Sequence, residues 1–346
     1  MARKPSSLFY KGASEVSFPI DLVYLWVDGD APEFRKTKAK CMHAAGMNDS
    51  KYRDATKKQI FRDNDELKYS LRSVEKYAPW IRHIYIVTGF GQVPTWLNTK
   101  NPRITIVPQE SILPADASPV FNSCAIEACL ANIPGLAEHF ILANDDMFFN
   151  APVRPDFFFD YLGRAKFRTI YRKDGRRIED KKSLYSILLY NAAREIENAF
   201  GVDLYNYKSS HGIDPYIKSS MVDACAHPAL ARVIDATRHH RFRDMTDVHR
   251  LIFNLYDVVH GRARIIRVHS RHVGHNVVLD FLYNLIHHDS IKNSVFYCKD
   301  AMESNVLSCG AKIVCINDGV DTNDNNIKNN KMFFKTKFPK KSKFEK

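Results

Sequence analysis

The chain has 346 residues, a length that suits one large domain or two modest ones. Apolar residues make up 45% and charged residues 26%, which excludes a disordered acidic protein, a collagen-like repeat and a disulfide-dense miniprotein. The 51 lysines and arginines exceed the 39 acids by +12, so a nucleic-acid partner stays open and the basic charge needs an explanation.

In chain order, the stretch before Ile20 is basic and then polar, and the first apolar run contains Asp21. That is a strand pattern and not a signal-peptide core. Residues 20–28 (IDLVYLWVD) read as a buried strand ending at Gly29. Residues 35–62 read as helix and loop. Leu67, Leu71, Val74 and Tyr77 fall at helical spacing, with Asn64 as an N-cap and Pro79 as a stop. HIYIVTG (83–89) and ITIVP (104–108) read as strands. Residues 118–133 read as a helix broken by Pro134-Gly135, and FILAN (140–144) as a fourth strand running into Asp145-Asp146. Residues 160–290 show few strand signals, with helical spacing over 183–200 and 215–235. AKIVCI (311–316) reads as a last short strand, 321–331 as a mobile loop, and FFKTKFPKKSKFEK as a basic tail. No run of about 18 apolar residues occurs, so no transmembrane helix is expected. Seven scattered cysteines without a C-x-x-C argue against a zinc cluster and a disulfide framework. They read as small buried residues of a reducing cytoplasm.

Strands alternating with helices predict an α/β layer with a largely parallel sheet. Ligands sit beyond the carboxyl ends of such strands. Asp28-Gly29-Asp30, Thr88-Gly89-Phe90-Gly91 and Asn144-Asp145-Asp146 fall there. The Asp145-Asp146 pair can hold a hard divalent cation, accept a proton from an attacking hydroxyl, or form a solvated turn. RHHRFRDMTD (238–247) offers arginine forks for phosphate, or a basic solvated helix end. His211 lies in a glycine- and proline-containing loop, where a histidine can serve as a base near neutral pH. VHSRHVGH (268–275) gives a weak zinc reading. No G-x-G-x-x-G or Walker motif occurs, nor a nucleic-acid-binding motif.

Four ordered blocks resemble the Stealth family of sugar-phosphate transferases. They are IDLVYLWVDGDAP; FRDNDELKYSLRSVEKYAPWIRHIYIVTGFGQVPTWLN through PVFNSCAIEACLANI to FILANDDMFF; SHGIDPYIKSSM with RFRDMTD; and VCINDGVD with the basic tail. Bacterial capsule-polymer hexose-1-phosphate transferases belong to that family, and the catalytic part of animal N-acetylglucosamine-1-phosphotransferase is a relative. The resemblance implies a Rossmann-like, GT-A-like core with a largely helical insertion or second lobe. It implies transfer of hexose-1-phosphate, an N-acetylhexosamine-1-phosphate by preference, from a UDP-sugar to a sugar hydroxyl, with release of UMP. Carried over residue by residue, it implies catalytic roles for His211, Asp146, Arg243 and Glu127. It places Asp28, Gly29, Arg62, Asp63, Asn64, Asn144, Asn317 and Asp318 in substrate binding, with Glu66 in the same block as Asn64. Asp145 and Asp146 would hold Mg2+. His211 and Asp146 both remain candidates for the base.

The expected organisation is a nucleotide-sugar-binding core over 1–160, a helical insertion carrying His211 and Arg243 over 161–300, and a returning strand with basic tail over 301–346. The expected partners are a UDP-sugar and an oligosaccharide or phosphodiester-linked capsule acceptor, with no nucleic acid. The expected location is the cytoplasm, with the tail against the acidic inner membrane face. Two alternatives remain at this level. One is a metal-dependent glycosyltransferase that releases UDP. The other is a non-catalytic basic module for anionic polymer.

Overall fold

The structure is a computed structural model that describes residues 16–47, 63–173, 175–177, 183–268, 295–304, 306–307, 310–317 and 322–346. Arg62, Asp318 and the histidines of 269–275 lie outside the described residues.

β1 (Ile20–Trp26) is the middle of a five-stranded sheet of order β3-β2-β1-β4-β8. It pairs in parallel with β2 (Ile84–Thr88) and β4 (His139–Asn144), and β2 pairs in parallel with β3 (Ile104–Pro108). A central parallel strand is covered on both faces, hence its nearly unbroken apolar run. The exception is Asp21, fully buried, which accepts from Arg82 Nε at 2.8 Å and from the Ala137 N–H at 2.7 Å. This α/β, mostly parallel arrangement is the class expected from the sequence. β8 (Asp214–Ile217) closes the edge antiparallel to β4.

The chain leaves the central sheet at Asp145-Asp146. β5 (Met147–Phe149) joins a second sheet of order β10-β11-β5, with β10 (Val295–Cys298) and β11 (Ile313–Ile316). The acidic pair therefore sits where one strand line passes between two sheets. α1 (Pro32–Ala44) follows β1, and α2 (Glu66–Tyr77) follows it. α2 buries Leu67, Leu71 and Val74 at the predicted spacing. On its sheet-facing side Ser70 Oγ donates to the Met147 carbonyl at 2.5 Å, and the Phe149 N–H donates to Ser73 Oγ at 3.0 Å. Those bonds clamp the strand just after the acidic pair. The helix starts after Asp65, which has φ 70°, one residue later than the expected Asn64 cap.

Three local expectations differ from the structure. The helix expected over 118–133 is only α3 (Ser123–Glu127) plus a short 3-10 turn at Leu130–Asn132. The stretch 160–290 carries helices α4 (Leu184–Phe200), α5 (Lys218–Ala226), α6 (Ala231–His239) and α7 (Leu251–Val259), but also a small sheet of β7 (Tyr207–Ser209), β6 (Ala165–Tyr171) and β9 (Ala263–Arg267). The expected loop at 321–331 is largely α8 (Asp324–Lys337). Its start is a reciprocal cap: Asn323 Oδ1 accepts from the Asn326 N–H, and Asn326 Oδ1 accepts from the Asn323 N–H, both at 3.0 Å. Asn-rich sequence is a weak helix former, and burial of Phe333 and Phe334 against Tyr69 and Phe148 overrides it.

The basic tail is likewise half core. Phe338 and Phe344 are buried, and Glu345 pairs with Arg72 through two bonds of 2.8 and 2.7 Å. Lys340, Lys341 and Lys343 remain exposed.

Candidate active site

A cavity of about 290 Å³ opens at the carboxyl ends of β1, β2 and β4, the place where an α/β sheet presents ligands. β1 contributes Trp26 and the following residue Val27. The turn after β4 contributes Asn144, Asp145 and Asp146, and β11 with its next residue contributes Ile316 and Asn317. α3 contributes Ser123, Cys124 and Glu127. His211, Arg243, His249 and Arg250 enter from the stretch between β7 and α7. Phe34, Phe90 and Phe121 make an aromatic wall whose rings lie 5.2–5.4 Å apart.

Seven of the expected residues thus meet in one cavity: His211, Arg243, Glu127, Asn144, Asp145, Asp146 and Asn317. Asp28 and Gly29 are not in its wall. Asp28 is instead held by Gln92, whose Oε1 accepts from the Asp28 N–H at 2.8 Å and whose Nε2 donates to the Asp28 carbonyl at 2.9 Å. Asn64 also stays outside, and its Nδ2 donates to Glu66 Oε1 at 2.9 Å. Glu66 lines the cavity.

One side is acidic. Burial pushes the Glu66 carboxyl up to about 7, against the opposing hydrogen bonds from Asn64. Burial, with Asp146, Glu66 and Asp63 adding repulsion, raises Asp145 well above the carboxylate range. Burial raises Asp63 as well. Asp146 Oδ2 accepts from Asn317 Nδ2 at 2.7 Å and from the Cys315 thiol at 3.3 Å, whereas the buried Oδ1 has no hydrogen-bond partner.

The other side is basic. Arg250 Nη1 donates to Glu127 Oε1 at 2.8 Å and to Asn144 Oδ1 at 3.3 Å, and both charged side chains are about 5% exposed or less. Arg243 Nη2 donates to Ser123 Oγ at 2.5 Å. The loop that carries Arg243 is held by Asp247, which is fully buried. Asp247 accepts from Asn122 Nδ2 at 2.8 Å and the Asp244 N–H at 2.9 Å, and pairs with His240 Nδ1 at 2.5 Å. Asn122 in turn caps α3, its Oδ1 accepting from the Cys124 N–H at 3.0 Å. One asparagine thus joins the helix that carries Glu127 to the loop that carries Arg243. Asn122→Ala is expected to cost about 1–3 kcal/mol in urea unfolding. A loss below about 0.5 kcal/mol would show that the joint is not carried by this side chain.

His211 sits between β7 and β8 with φ 60°, a left-handed conformation that favours glycine. The turn is held by Ser209 Oγ, which donates to Asp214 Oδ2 at 3.0 Å and accepts from the His211 N–H at 3.3 Å. Burial lowers the His211 imidazole below its ordinary value, with Asp146 pulling the other way and Arg250 and Lys208 reinforcing burial. Its Nδ1 lies 3.2 Å from Tyr185 Oη.

Sequence reasoning missed Arg250, His249, Tyr185 and Gln109 in this wall, and Asp214 beneath it. The one signal for Arg250 was its place at the head of the apolar run LIFNLYDVV, where a charge must find a distant partner.

Residues 18–46 match "Stealth protein CR1, conserved region 1" and residues 60–167 match "Stealth protein CR2, conserved region 2". The "Exopolysaccharide phosphotransferase cps2G" of Lactiplantibacillus plantarum is 31% identical over 355 residues, covering 95% of this chain and 97% of that protein. The "Exopolysaccharide phosphotransferase" of Nocardia farcinica is 36% identical over 266 residues, 75% of this chain and 50% of that protein. CpsY of Mycobacterium leprae, also so named, is 47% identical over 163 residues, 46% of this chain and 29% of that protein. The chain thus spans about half or less of the Nocardia and Mycobacterium relatives and nearly all of the first. Among solved structures, a galactosyltransferase LgtC complexed with donor and acceptor sugar analogs matches with TM-score 0.40 and 11% identity over 86% of each chain, a likeness too distant to carry a conclusion. Both matched regions, and an identity above 30% sustained over almost the entire chain, show that this chain belongs to the Stealth family.

Proposed function

We propose that the chain transfers a hexose-1-phosphate from a UDP-sugar to a hydroxyl of a growing capsule or exopolysaccharide, releasing UMP. The observation that carries this reading is the composition of the cavity: Arg243 and Arg250, a carboxylate cluster and a half-buried, neutral-leaning histidine share one concave wall. The naming of its relatives as exopolysaccharide phosphotransferases supports the same chemistry. An N-acetylhexosamine is the proposed sugar.

In this mechanism the acceptor oxygen bonds to the β-phosphorus, and the bond from that phosphorus to the oxygen bridging the α-phosphate breaks. UMP leaves with the bridging oxygen. Phosphoryl transfer needs positioning and charge neutralisation above all. Arg243, braced by Ser123, would meet phosphate oxygens as a fork. Arg250 is bound to Glu127 and Asn144, so it would set the charge at the sheet end while those partners hold its plane. His211, kept neutral by burial, would take the hydroxyl proton.

The carboxylate cluster fits Mg2+: its donors are hard oxygens, like charges crowd there, and Asp146 Oδ1 is buried without a partner. Asp145 and Asp146, with Glu66, would hold the ion, which supplies neutralisation of diphosphate charge. A pH test follows from Glu66. Its folded value of about 7 lies above the ordinary 4.5. Its contribution to stability is therefore present at the acid end and lost as pH rises from about 4.5 through 7. A cation bound there replaces the lost proton. Mg2+ is expected to raise the melting temperature more at about pH 8 than at about pH 5.5. An equal shift at both would move the ion away from Glu66.

The deciding experiment offers a panel of UDP-sugars with an oligosaccharide primer. Release of UMP and a phosphodiester signal in phosphorus NMR is the expected result. Release of UDP with no phosphorus in the product would instead establish a glycosyltransferase. Salt-sensitive binding to arbitrary DNA that survives Asp146→Asn would favour the binding module.

The proposed setting is the cytoplasmic face of a membrane carrying the acceptor. Among the described residues no helix is long and apolar enough to cross a membrane. Because Phe338 and Phe344 belong to the core, the surface that would meet acidic lipid is the exposed lysines of α8 and the tail. Reversing Lys331, Lys335, Lys340 and Lys341 to glutamate is expected to weaken sedimentation with phosphatidylserine vesicles, by about 1 kcal/mol per lysine. Unchanged sedimentation would refute this contact.

A further inference from the structure

We propose that Asp146, His211 and Cys315 form a second metal site, selective for Zn2+ and Co2+ over Mg2+, whose occupation blocks transfer. The blocking part rests on the function proposed above; the binding part does not.

One strand and two turns of the fold converge here. Cys315 lies on β11 directly opposite Met147 of β5, the residue after Asp146. His211 reaches the same point from the turn between β7 and β8. One ligand atom from each of the three lies within 4.8 Å of the other two. The thiol already touches Asp146 Oδ2 at 3.3 Å, while the other oxygen of that carboxylate is buried with no hydrogen-bond partner.

The donor set is one sulfur, one imidazole nitrogen and one carboxylate oxygen. Around a tetrahedral zinc ion, bonds of about 2.0–2.3 Å put such atoms about 3.3–3.8 Å apart. Closing from the observed spread takes side-chain rotations on the scale of an ångström. Thiolate sulfur selects zinc and cobalt and is a poor ligand for magnesium, which the all-oxygen set of Asp145, Asp146 and Glu66 suits. The Cys315 thiol is buried and its proton is firmly held, so the metal must displace that proton and binding releases it. The fourth coordination position would face the cavity, since Asp146 and His211 both line it. A bound zinc ion would take the His211 nitrogen needed for the acceptor proton and one carboxylate needed for magnesium.

The test is a Co2+ titration of the chelator-stripped full chain followed by absorption. The expected result is intense visible bands of tetrahedral cobalt with a sulfur-to-cobalt charge-transfer band in the near ultraviolet, displaced by Zn2+. Cys315→Ser should abolish the charge-transfer band, and His211→Ala, which keeps the thiol, should weaken cobalt binding about tenfold or more. Circular dichroism checks that each variant is folded. A weak octahedral spectrum in the parent chain, or a charge-transfer band that survives Cys315→Ser, overturns the site. These readouts need no turnover, so they stand if the proposed reaction fails. With excess Mg2+ present, equimolar Zn2+ should lower UMP release about tenfold and EDTA followed by Mg2+ should restore it; full activity with the site occupied overturns the blocking role.

Discussion

Replacing His211 with alanine is expected to lower the turnover of sugar-phosphate transfer ~10²–10⁴-fold. The histidine lines the cavity beside Asp146, and burial lowers its pKa. Protonation would remove its capacity to accept a proton, so the acid limb of the parent rate profile should lie below the ordinary imidazole value of 6.5. The backbone supplies a second, sharper variant. His211 adopts φ 60°, a conformation that costs an L side chain roughly 1–2 kcal/mol and glycine almost nothing. His211→Gly should therefore lose the same activity while the chain becomes no less stable in urea. A strained position that tolerates glycine in folding but not in turnover identifies the side chain as chemical. Near-parental turnover in either variant would sink the role and leave Asp146 as the base.

The second large effect is expected at the buried ion pair of Arg250 and Glu127. Each side chain is about 5% exposed or less, and they are 123 residues apart in sequence. Burial alone would weaken the arginine's hold on its proton, and Glu127 with neighbouring Tyr216 and Asp214 more than offsets this. Removing one partner strands the other. Arg250→Ala should cost ~3–5 kcal/mol in unfolding free energy. Glu127→Ala should cost a similar amount, because it leaves a buried guanidinium. The double variant Arg250→Ala with Glu127→Ala should be less destabilised than the sum of the single losses, since neither charge remains. It should nevertheless be inactive. Strict additivity of the two single effects would show that the pair is not coupled.

The contrast between these two residues explains what could be read from the sequence. Strands β1 to β4 and the face of α2 were legible, because a strand buried on both sides must be apolar and a helix covering a sheet must repeat its apolar residues every turn. The acidic pair was legible because it follows such a strand directly. The partner of Glu127 was not, since nothing local records which of many arginines crosses to it. The same holds for β8, where Asp214-Pro215-Tyr216-Ile217 has no strand signature and is recruited by the edge of β4. α8 failed for the opposite reason: its local composition argued for a loop, and the apolar seat under Phe333 and Phe334 decided otherwise. Asp28 and Gly29 fell outside the cavity wall although they follow β1, because Gln92 captures the Asp28 backbone.

The clasp between Arg72 and Glu345 spans 273 residues. During vectorial synthesis, α2 and the strands beside it are made early, yet the side that Phe338, Phe344 and Glu345 cover stays open until residues 338–345 arrive. The first third of the chain thus emerges with an apolar seam that nothing nearby can seal. Folding of this kind is governed by its longest loop closure and runs slowly, and the waiting intermediate is a natural client for chaperones. Fragments ending before residue 338 would accordingly be recovered as aggregates, not as smaller enzymes.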